Sequence, residues 1–255
     1  MPQHKSPDAH SSQLNKAALI VGAGDDTGAA IAEAFAAEGY TACIVRRERH
    51  ADKLELLAAS IRAKGHKAIA YPGDARDEQA IIALVESIER DVGPIEVTVF
   101  NIGANVMFSV IDTSARVFSK VWEMACFAGF LTGREVAKRM LQRKRGTIIF
   151  TGATASVRGA GGFSAFASAK HGLRALAESM ARELGPNNIH VAHTIIDGMI
   201  DSNFIRENFD KADEMREQDA ILNPEHIAAN YVMLHKQPRT AWTFELDLRP
   251  WKEKW

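Results

Sequence analysis

The chain has 255 residues, of which 46% are hydrophobic and 25% charged, with a formal net charge of −1. This is ordinary globular composition, and the length allows one large α/β domain or two small ones. A net charge so close to zero gives no electrostatic reason to expect nucleic acid or an anionic membrane as a partner. Charge alone therefore indicates no partner class.

The two cysteines, Cys43 and Cys126, lie in apolar stretches without Cys-x-x-Cys spacing, and the nine histidines are scattered. The sequence therefore predicts neither a disulfide nor a metal site and suits a reducing cytoplasm. The N-terminal residues 1–16 are polar, and no later window approaches the roughly 18 apolar residues of a transmembrane helix. We expect a soluble, cytoplasmic protein with a flexible segment at residues 1–13 and one domain over residues 14–255.

Short apolar runs alternate with amphipathic stretches from Ala17 onward. Strands are predicted in the stretches 17–24, 41–47, 66–74, 95–105, 146–153 and 189–198, and helices in 27–40, 51–65, 77–93, 114–144 and 163–185. Each connection between parallel strands needs a crossover, and apolar strands with helices between them are typical of a buried parallel sheet. The predicted fold class is α/β, with a parallel sheet covered by helices on both faces.

A glycine-rich turn, VGAGDDTGAA, follows the first strand and opens the first helix. Glycines in this context let the backbone approach a pyrophosphate that lies over the helix N-terminus. The spacing of Gly22, Gly24 and Gly28 leaves the last interval one residue longer than in Gly-x-Gly-x-x-Gly. The turn favours a dinucleotide site, and a tight turn with close helix packing is the alternative.

The chain resembles the short-chain dehydrogenase/reductase family over nearly its whole length. Four motifs carry the resemblance in the family's order: the glycine turn, with Asp26 at the middle glycine; Asp74 after the third strand; Asn101-Ile102-Gly103 after the fourth; and Lys170 in FASAKHG. The resemblance implies a single Rossmann-like, three-layer domain with a twisted sheet, a nicotinamide cofactor, and a homodimer or homotetramer. By resemblance, the cofactor-binding residues are Gly22, Gly24, Asp26, Thr27, Gly28, Arg46, Arg47, Asp74, Ala75, Asn101, Gly103, Lys170, Gly198 and Ser202.

The departures from the family pattern fall on its catalytic residues. Ala153, Phe166 and Cys126 stand where the family has its catalytic Ser, Tyr and Asn, and Lys170 alone of that set is kept. The Pro-Gly after the sixth strand is replaced by Asp197-Gly198, and the usual glycine-rich C-terminal end by AWTFELDLRPW. We therefore expect an atypical member, in which Lys170 is the one catalytic residue retained.

The missing groups have a direct chemical consequence. Phe cannot transfer a proton and Ala cannot donate a hydrogen bond, whereas general acid catalysis typically contributes about 10²–10⁴ in rate. Ketone–alcohol chemistry by the family's usual mechanism is therefore not expected. Lys170 still has a role, since its ammonium can hydrogen-bond the nicotinamide ribose, and Phe166 is predicted to line an apolar pocket.

The second strand ends in TACIVRRERH, without the carboxylate that usually selects NAD. Arg46 and Arg47 suit a 2′-phosphate because guanidinium groups are planar bidentate donors. Asp25 and Asp26 add negative charge to the phosphate turn, although either could instead cap the helix. The sequence favours NADP(H) over NAD(H).

Three functions stay open. The first is an NADP(H)-dependent oxidoreductase acting on an apolar small molecule, such as a protonated imine or a conjugated alkene, that needs little help from an enzyme acid. The second is a nucleotide-binding protein without turnover that has a regulatory or scaffolding role. The third is carbonyl chemistry with a substitute donor: water, Ser164, Thr154 or a group of the loop 197–206.

Overall fold

A computed structural model of the chain describes residues 15–253. The predicted flexible segment 1–13 and the domain ends at residues 14, 254 and 255 lie outside the described residues. Seven strands form a single parallel sheet in the order β3-β2-β1-β4-β5-β6-β7. This confirms the predicted α/β class with a Rossmann-like arrangement.

The strand and helix bounds follow the alternation in the sequence. The strands are β1 Ala17–Val21, β2 Thr41–Arg46, β3 Lys67–Pro72, β4 Ile95–Phe100, β5 Gly146–Thr151, β6 Ile189–Ile196 and β7 Glu245–Leu248. The α-helices are α1 Thr27–Ala37, α2 Ala51–Ala63, α3 Glu78–Asp91, α4 Ala115–Trp122, α5 Ala128–Arg143, α6 Ser164–Leu184, α7 Asn203–Asn208, α8 Ala212–Glu217 and α9 Pro224–Lys236.

Two apolar cores lie on opposite faces of the sheet. On one face, β-strand side chains such as Leu19 pack with residues of α3, α5 and α6. On the other face, Ile20 and its neighbours pack with residues of α1, α2 and α9, including Tyr231, which is fully buried. Alternate side chains of each strand serve opposite cores, as a three-layer fold requires.

The structure departs from the prediction in two places. The single helix predicted over 114–144 is divided by a π-helical turn at Glu123–Phe127, so that α4 and α5 are separate segments of one rod. The C-terminal region, for which no element was predicted, contains α7, α8, α9 and the short strand β7. That strand forms because it pairs with the free edge of β6. His193 N donates to Phe244 O at 2.7 Å, and Asp197 N donates to Leu248 O at 2.8 Å.

Candidate active site

A cleft opens at the carboxyl ends of the strands, where the chain order reverses between β1 and β4. Open α/β sheets bind ligands at this point, because the loops that follow two neighbouring strands diverge there. The cleft is lined by predicted residues at the ends of four strands, β1 to β4: Gly22, Gly24, Arg46, Arg47, Asp74, Ala75, Asn101 and Gly103. Val45, His50, Gly73, Arg76, Ile102, Ala104 and Met124 also line it and were not predicted.

Two of the three glycines in the turn leave no room for a side chain, and the third borders open space. Gly22 has φ +94°, and a Cβ there would lie 2.8 Å from the carbonyl of Asn101. A Cβ on Gly28 would lie 2.5 Å from Gly22 O, so α1 packs directly against the turn. A Cβ on Gly24 would meet nothing within 4 Å. Gly24 therefore borders open space at the N-terminus of α1, where a phosphate group fits.

Asn101 joins the two strands that flank the cleft. Its amide N donates to Val21 O at 2.8 Å, and its side-chain Nδ2 donates to Gly22 O at 3.2 Å. These bonds hold the end of β4 against the glycine turn. The side chain thus orients the cleft wall from within, whatever contact it makes with a ligand.

The two aspartates of the turn do not cap α1, so that alternative from the sequence is wrong. Asp25 instead accepts two bonds from Arg46, at 2.7 Å to Oδ1 and 3.4 Å to Oδ2, and Lys53 Nζ lies 3.5 Å from Oδ2. The hydrogen bonds from Arg46 lower the pKa of Asp25. Asp26 occupies the N-cap position without a capping bond, and its Oδ1 accepts from Asn203 N at 2.9 Å. The carboxylates of Asp25 and Asp26 therefore bind partners on β2 and α7.

Several arginine side chains line the cleft near the ends of β2 and β3. Arg46, Arg47 and Arg76 line it, and His50, whose pKa is lowered by burial and by Arg46, lies beside them. Burial, and then the neighbouring Arg49 and Arg76, lower the pKa of Arg47, which makes no ion pair with any of residues 15–253. Arg76 is held by Asp74, with Nε 2.9 Å from Oδ1 and Nη2 2.5 Å from Oδ2. This end of the cleft therefore carries cations in excess of carboxylates.

Lys170 is a fully buried lysine with an unusually low pKa. It is 2% exposed, and its Nζ donates to Thr151 O at 2.8 Å and Ile102 O at 3.0 Å. Neither partner is charged, so burial lowers the pKa of Lys170 to about 7 from an ordinary value of 10.5. An ammonium has three donors, and two are used here. Thr151 ends β5, and Ile102, which follows β4, lines the cleft, so Lys170 lies behind the cleft wall.

The residues predicted to stand at the family's catalytic positions lie in or against one apolar cluster. Phe166 and Cys126 are buried in it and Ala153 packs against it, together with Val106 and Phe163. Lys170 Nζ lies 5.9 Å from the centre of the Phe166 ring. Cys126 sits in the π-helical turn between α4 and α5, and burial raises the pKa of its thiol. The cluster itself is formed by apolar side chains and the thiol of Cys126.

The loop after β6 is pinned by charge. Thr154 Oγ1 donates to Asp197 Oδ1 at 2.5 Å, a contact that links the ends of β5 and β6. Gly198 has φ +145° and packs against Pro250. Ser202 caps α7 by accepting from Ile205 N at 3.3 Å, and buried Asp201 binds both Arg206 and Arg216. Gly198 and Ser202 therefore belong to a loop that borders the site rather than to the cleft lining itself.

The described residues contain neither a metal-binding cluster nor a membrane-spanning helix. Within residues 15–253, no three His, Cys, Asp or Glu side chains stand close enough to hold a metal ion. No helix in the same range combines the length and apolar character needed to span a membrane.

Comparison with known proteins gives consistent matches. Residues 16–213 match the family described as short chain dehydrogenase. A short-chain dehydrogenase/reductase of Hericium erinaceus is 34% identical over 175 residues, 68% of this chain and 69% of that protein. A 2-dehydro-3-deoxy-D-gluconate 5-dehydrogenase of Formosa agariphila is 30% identical over 176 residues, 69% of this chain and 66% of that protein. The chain thus matches about two thirds of the length of these relatives.

The similarity to solved structures extends over nearly the whole chain. A short-chain dehydrogenase from Rhodopseudomonas palustris is 48% identical, with a TM-score of 0.79, and the match covers 93% of this chain and 99% of that one. The family match, the sheet order and the cleft at the strand ends agree with one another. The chain therefore belongs to the short-chain dehydrogenase family, whose members are oxidoreductases that use nicotinamide cofactors.

Proposed function

We propose that the protein is an NADP(H)-dependent oxidoreductase that transfers hydride to or from an apolar small molecule without the usual Ser–Tyr pair. The carrying observation is the juxtaposition of an intact cofactor cleft and Lys170 with an apolar cluster at the remaining catalytic positions. The hydride chemistry is supplied by the nicotinamide ring when the cofactor is bound. The protein supplies position, charge and exclusion of water.

The residues present fit a dinucleotide. The open space beside Gly24 receives the pyrophosphate, and the bare backbone at Gly22 and Gly28 permits its close approach. Asp74, fixed by Arg76, borders the adenine end, and Asn101 shapes the wall beside the nicotinamide half. The third donor of Lys170 holds the ribose hydroxyls of that half.

The cation cluster supports a cofactor with a 2′-phosphate. Arg46 is already oriented by Asp25, while Arg47 and His50 face the cleft without a carboxylate partner among residues 15–253. A phosphate dianion would neutralise the mutual repulsion that lowers the pKa of Arg47. His50, whose pKa is also lowered by burial and the nearby arginines, was not foreseen from the sequence.

NADPH is therefore expected to bind at least severalfold more tightly than NADH, and the preference should collapse in the Arg46→Ala/Arg47→Ala variant. Each lost charged hydrogen bond is worth about 1.5–3 kcal/mol. Fluorescence titration with both nucleotides measures the two dissociation constants. Arg90→Ala serves as the control, because Arg90 is 70% exposed and pairs with Asp91 on α3. Equal affinities of the wild type for NADPH and NADH would contradict the assignment.

The apolar substrate is supported by exposed apolar side chains on the segments that follow β4 and β6. Val106 packs on the cluster, and Met107 and Ile111 of the same loop are 70% and 90% exposed. Phe204, on the helix that Asp26 binds, is 65% exposed. Exposed apolar side chains around a polar cofactor cleft are typical of a ligand-binding surface.

The test of the proposed function is NADPH oxidation with a panel of apolar imines, conjugated enones and ketones. Turnover with any member supports an oxidoreductase. Imines and enones are the members that need least from an enzyme acid. Tight NADPH binding with no turnover of any member would instead favour a nucleotide-binding protein with a regulatory or scaffolding role. If neither NADPH nor NADH bound at millimolar concentration, the basis of both functions would be removed.

A second expected result concerns assembly. The rings of Trp122, Phe127 and Phe130 stack in a row along α4 and α5, with centroid distances of 6.0 and 6.2 Å, and Trp122 and Phe130 are 42% and 38% exposed. Such a row on one face favours burial against a second subunit. Light scattering should give two or four times the mass of the 28.0 kDa chain, and Phe130→Glu should lower it. A monomeric wild type at working concentration would refute this.

A further inference from the structure

The contact between Thr154 and Asp197 lies next to the site but has no place in the function described so far. Thr154 follows Ala153 directly and opens a short 3-10 turn, Thr154–Ser156, at the end of β5. Asp197 follows β6, the neighbouring parallel strand. The 2.5 Å bond between Thr154 Oγ1 and Asp197 Oδ1 therefore joins two strand ends at the edge where the cleft opens.

The carboxylate of this pair is deeply placed and held by cations. Asp197 is 4% exposed, with Arg158 Nη2 3.6 Å from Oδ1 and Arg249 Nη2 3.3 Å from Oδ2. Two guanidinium groups therefore lie within ion-pair distance of the buried carboxylate. Thr154 is partly buried and donates its proton to the carboxylate, and its neighbours Ala153 and Ala155 belong to or pack on the apolar cluster that contains Phe166.

Lys170 is bonded to the strand end that carries Thr154. Thr151 O accepts the bond from Lys170 Nζ, and Thr154 lies three residues further along the same strand end. Thr151 pairs in register with Thr194 on β6, three residues before Asp197. Lys170 on α6 therefore binds the last residue of β5, and Thr154 and Asp197 each lie three residues beyond the paired residues Thr151 and Thr194. Ala153, at the family's serine position, lies between Gly152 and Thr154.

From this geometry we propose that Thr154 and Asp197 form the proton-transfer pair that replaces the missing Ser and Tyr, which extends the substrate class to apolar secondary alcohols and their ketones. In oxidation, the substrate hydroxyl gives its proton to Thr154 Oγ1 as Thr154 gives its own to Asp197 Oδ1. The carbinol C–H bond would break with its electron pair transferred as hydride to NADP⁺, the oxidant that the bound cofactor would supply, and the C=O bond would form. Reduction is the reverse. The inference rests on the proposed oxidoreductase function.

A hydroxyl backed by a carboxylate is suited to this step. The hydrogen bond to Asp197 fixes the threonine rotamer and turns an oxygen lone pair toward the substrate. General acid–base catalysis of this kind contributes typically about 10²–10⁴ in rate. The alternative is that the bond only fastens the loop after β6, and a purely structural role should affect stability and cofactor binding rather than turnover.

The experiment measures NADPH-dependent reduction of acetophenone, 2-octanone and 2-decalone by the wild type and by three variants. Thr154→Val removes the hydroxyl at constant shape, Thr154→Ser restores it, and Thr147→Val removes a hydroxyl that binds His235 at the opposite end of β5. We expect turnover of at least one ketone by the wild type. Thr154→Val should lower kcat by about 100-fold or more, with Thr154→Ser within about tenfold of the wild type. Thr147→Val should match the wild type.

Binding of NADPH, followed by fluorescence, provides the readout that does not depend on turnover. All four proteins should bind it within about twofold of one another, because Thr154 does not contact the pyrophosphate cradle. The proposal is overturned if Thr154→Val keeps the wild-type kcat, if Thr154→Ser is as inactive as Thr154→Val, or if the wild type binds NADPH but reduces none of the three ketones. Failure of the wild type to bind NADPH would instead overturn the proposed function itself.

Discussion

Replacement of Lys170 by methionine is expected to weaken NADPH binding by about 10- to 100-fold, because a charged hydrogen bond worth about 1.5–3 kcal/mol is lost. Methionine has a similar length and fills the same buried space without a donor. Turnover should fall further, by about 100-fold, because the nicotinamide is no longer held in register with the substrate. Fluorescence titration and NADPH oxidation measure the two effects separately.

The matched control is Lys236→Met, since Lys236 lies on α9 and is 56% exposed in a pair with Glu38. It should leave both binding and turnover unchanged. Wild-type affinity for NADPH in the Lys170→Met variant would show that the lysine does not contact the cofactor. Its part in the site would then be limited to the two carbonyls that it now binds.

Stability should respond to Lys170→Met with a defined dependence on pH. The pKa of Lys170 is about 7 in the folded protein and near its ordinary 10.5 in the unfolded chain, so between these values the unfolded chain binds more protons. The folded wild type therefore gains stability relative to the variant as the pH rises from 7 toward 10. The difference in Tm between variant and wild type should shift in favour of the wild type across this window. A difference that stays constant from pH 6 to pH 9 would contradict the lowered pKa.

Restoration of the family's hydroxyl groups by Ala153→Ser/Phe166→Tyr is expected to destabilise the protein and to bring no gain in ketone reduction. Phe166 is 8% exposed within the apolar cluster, and a hydroxyl placed there without a full set of partners costs about 1–3 kcal/mol. Thermal unfolding measures the loss of stability, and ketone-dependent NADPH oxidation measures the activity. Phe163→Tyr is the control, because Phe163 packs on the same cluster but is only partly buried.

A different result would change the account of the site. A large rise in ketone reduction in the double variant alone would identify a carbonyl reductase that has lost its acid. In that case Lys170 and the cofactor geometry would have survived a loss of the Ser–Tyr pair. An unchanged rate, together with a lower Tm, agrees with a site that works through other groups.

Much of the fold was predictable from local patterns. Six of the strands and the helices between them lie where apolar runs and amphipathic periods predicted them, because a buried parallel strand and a covering helix each impose a repeat on neighbouring residues. The strand β7 was missed because ELDL is short and half polar, and it becomes a strand only through its bonds to β6. The π-helical turn at Cys126 likewise has no periodic signature in the sequence.

The candidate site divides in the same way. The sequence by itself determined which side chains are available, among them the glycine turn, Lys170 and Phe166, and it predicted that Phe166 stands in place of a phenol. Only the tertiary structure decided how the charges pair, since Asp25 binds Arg46 from 21 residues away rather than capping α1, and Thr154 meets Asp197 across 43 residues. The physical reason is that a repeat depends on residues a few positions apart, whereas these pairs depend on the register of neighbouring strands, which brings their carboxyl ends to one edge of the sheet.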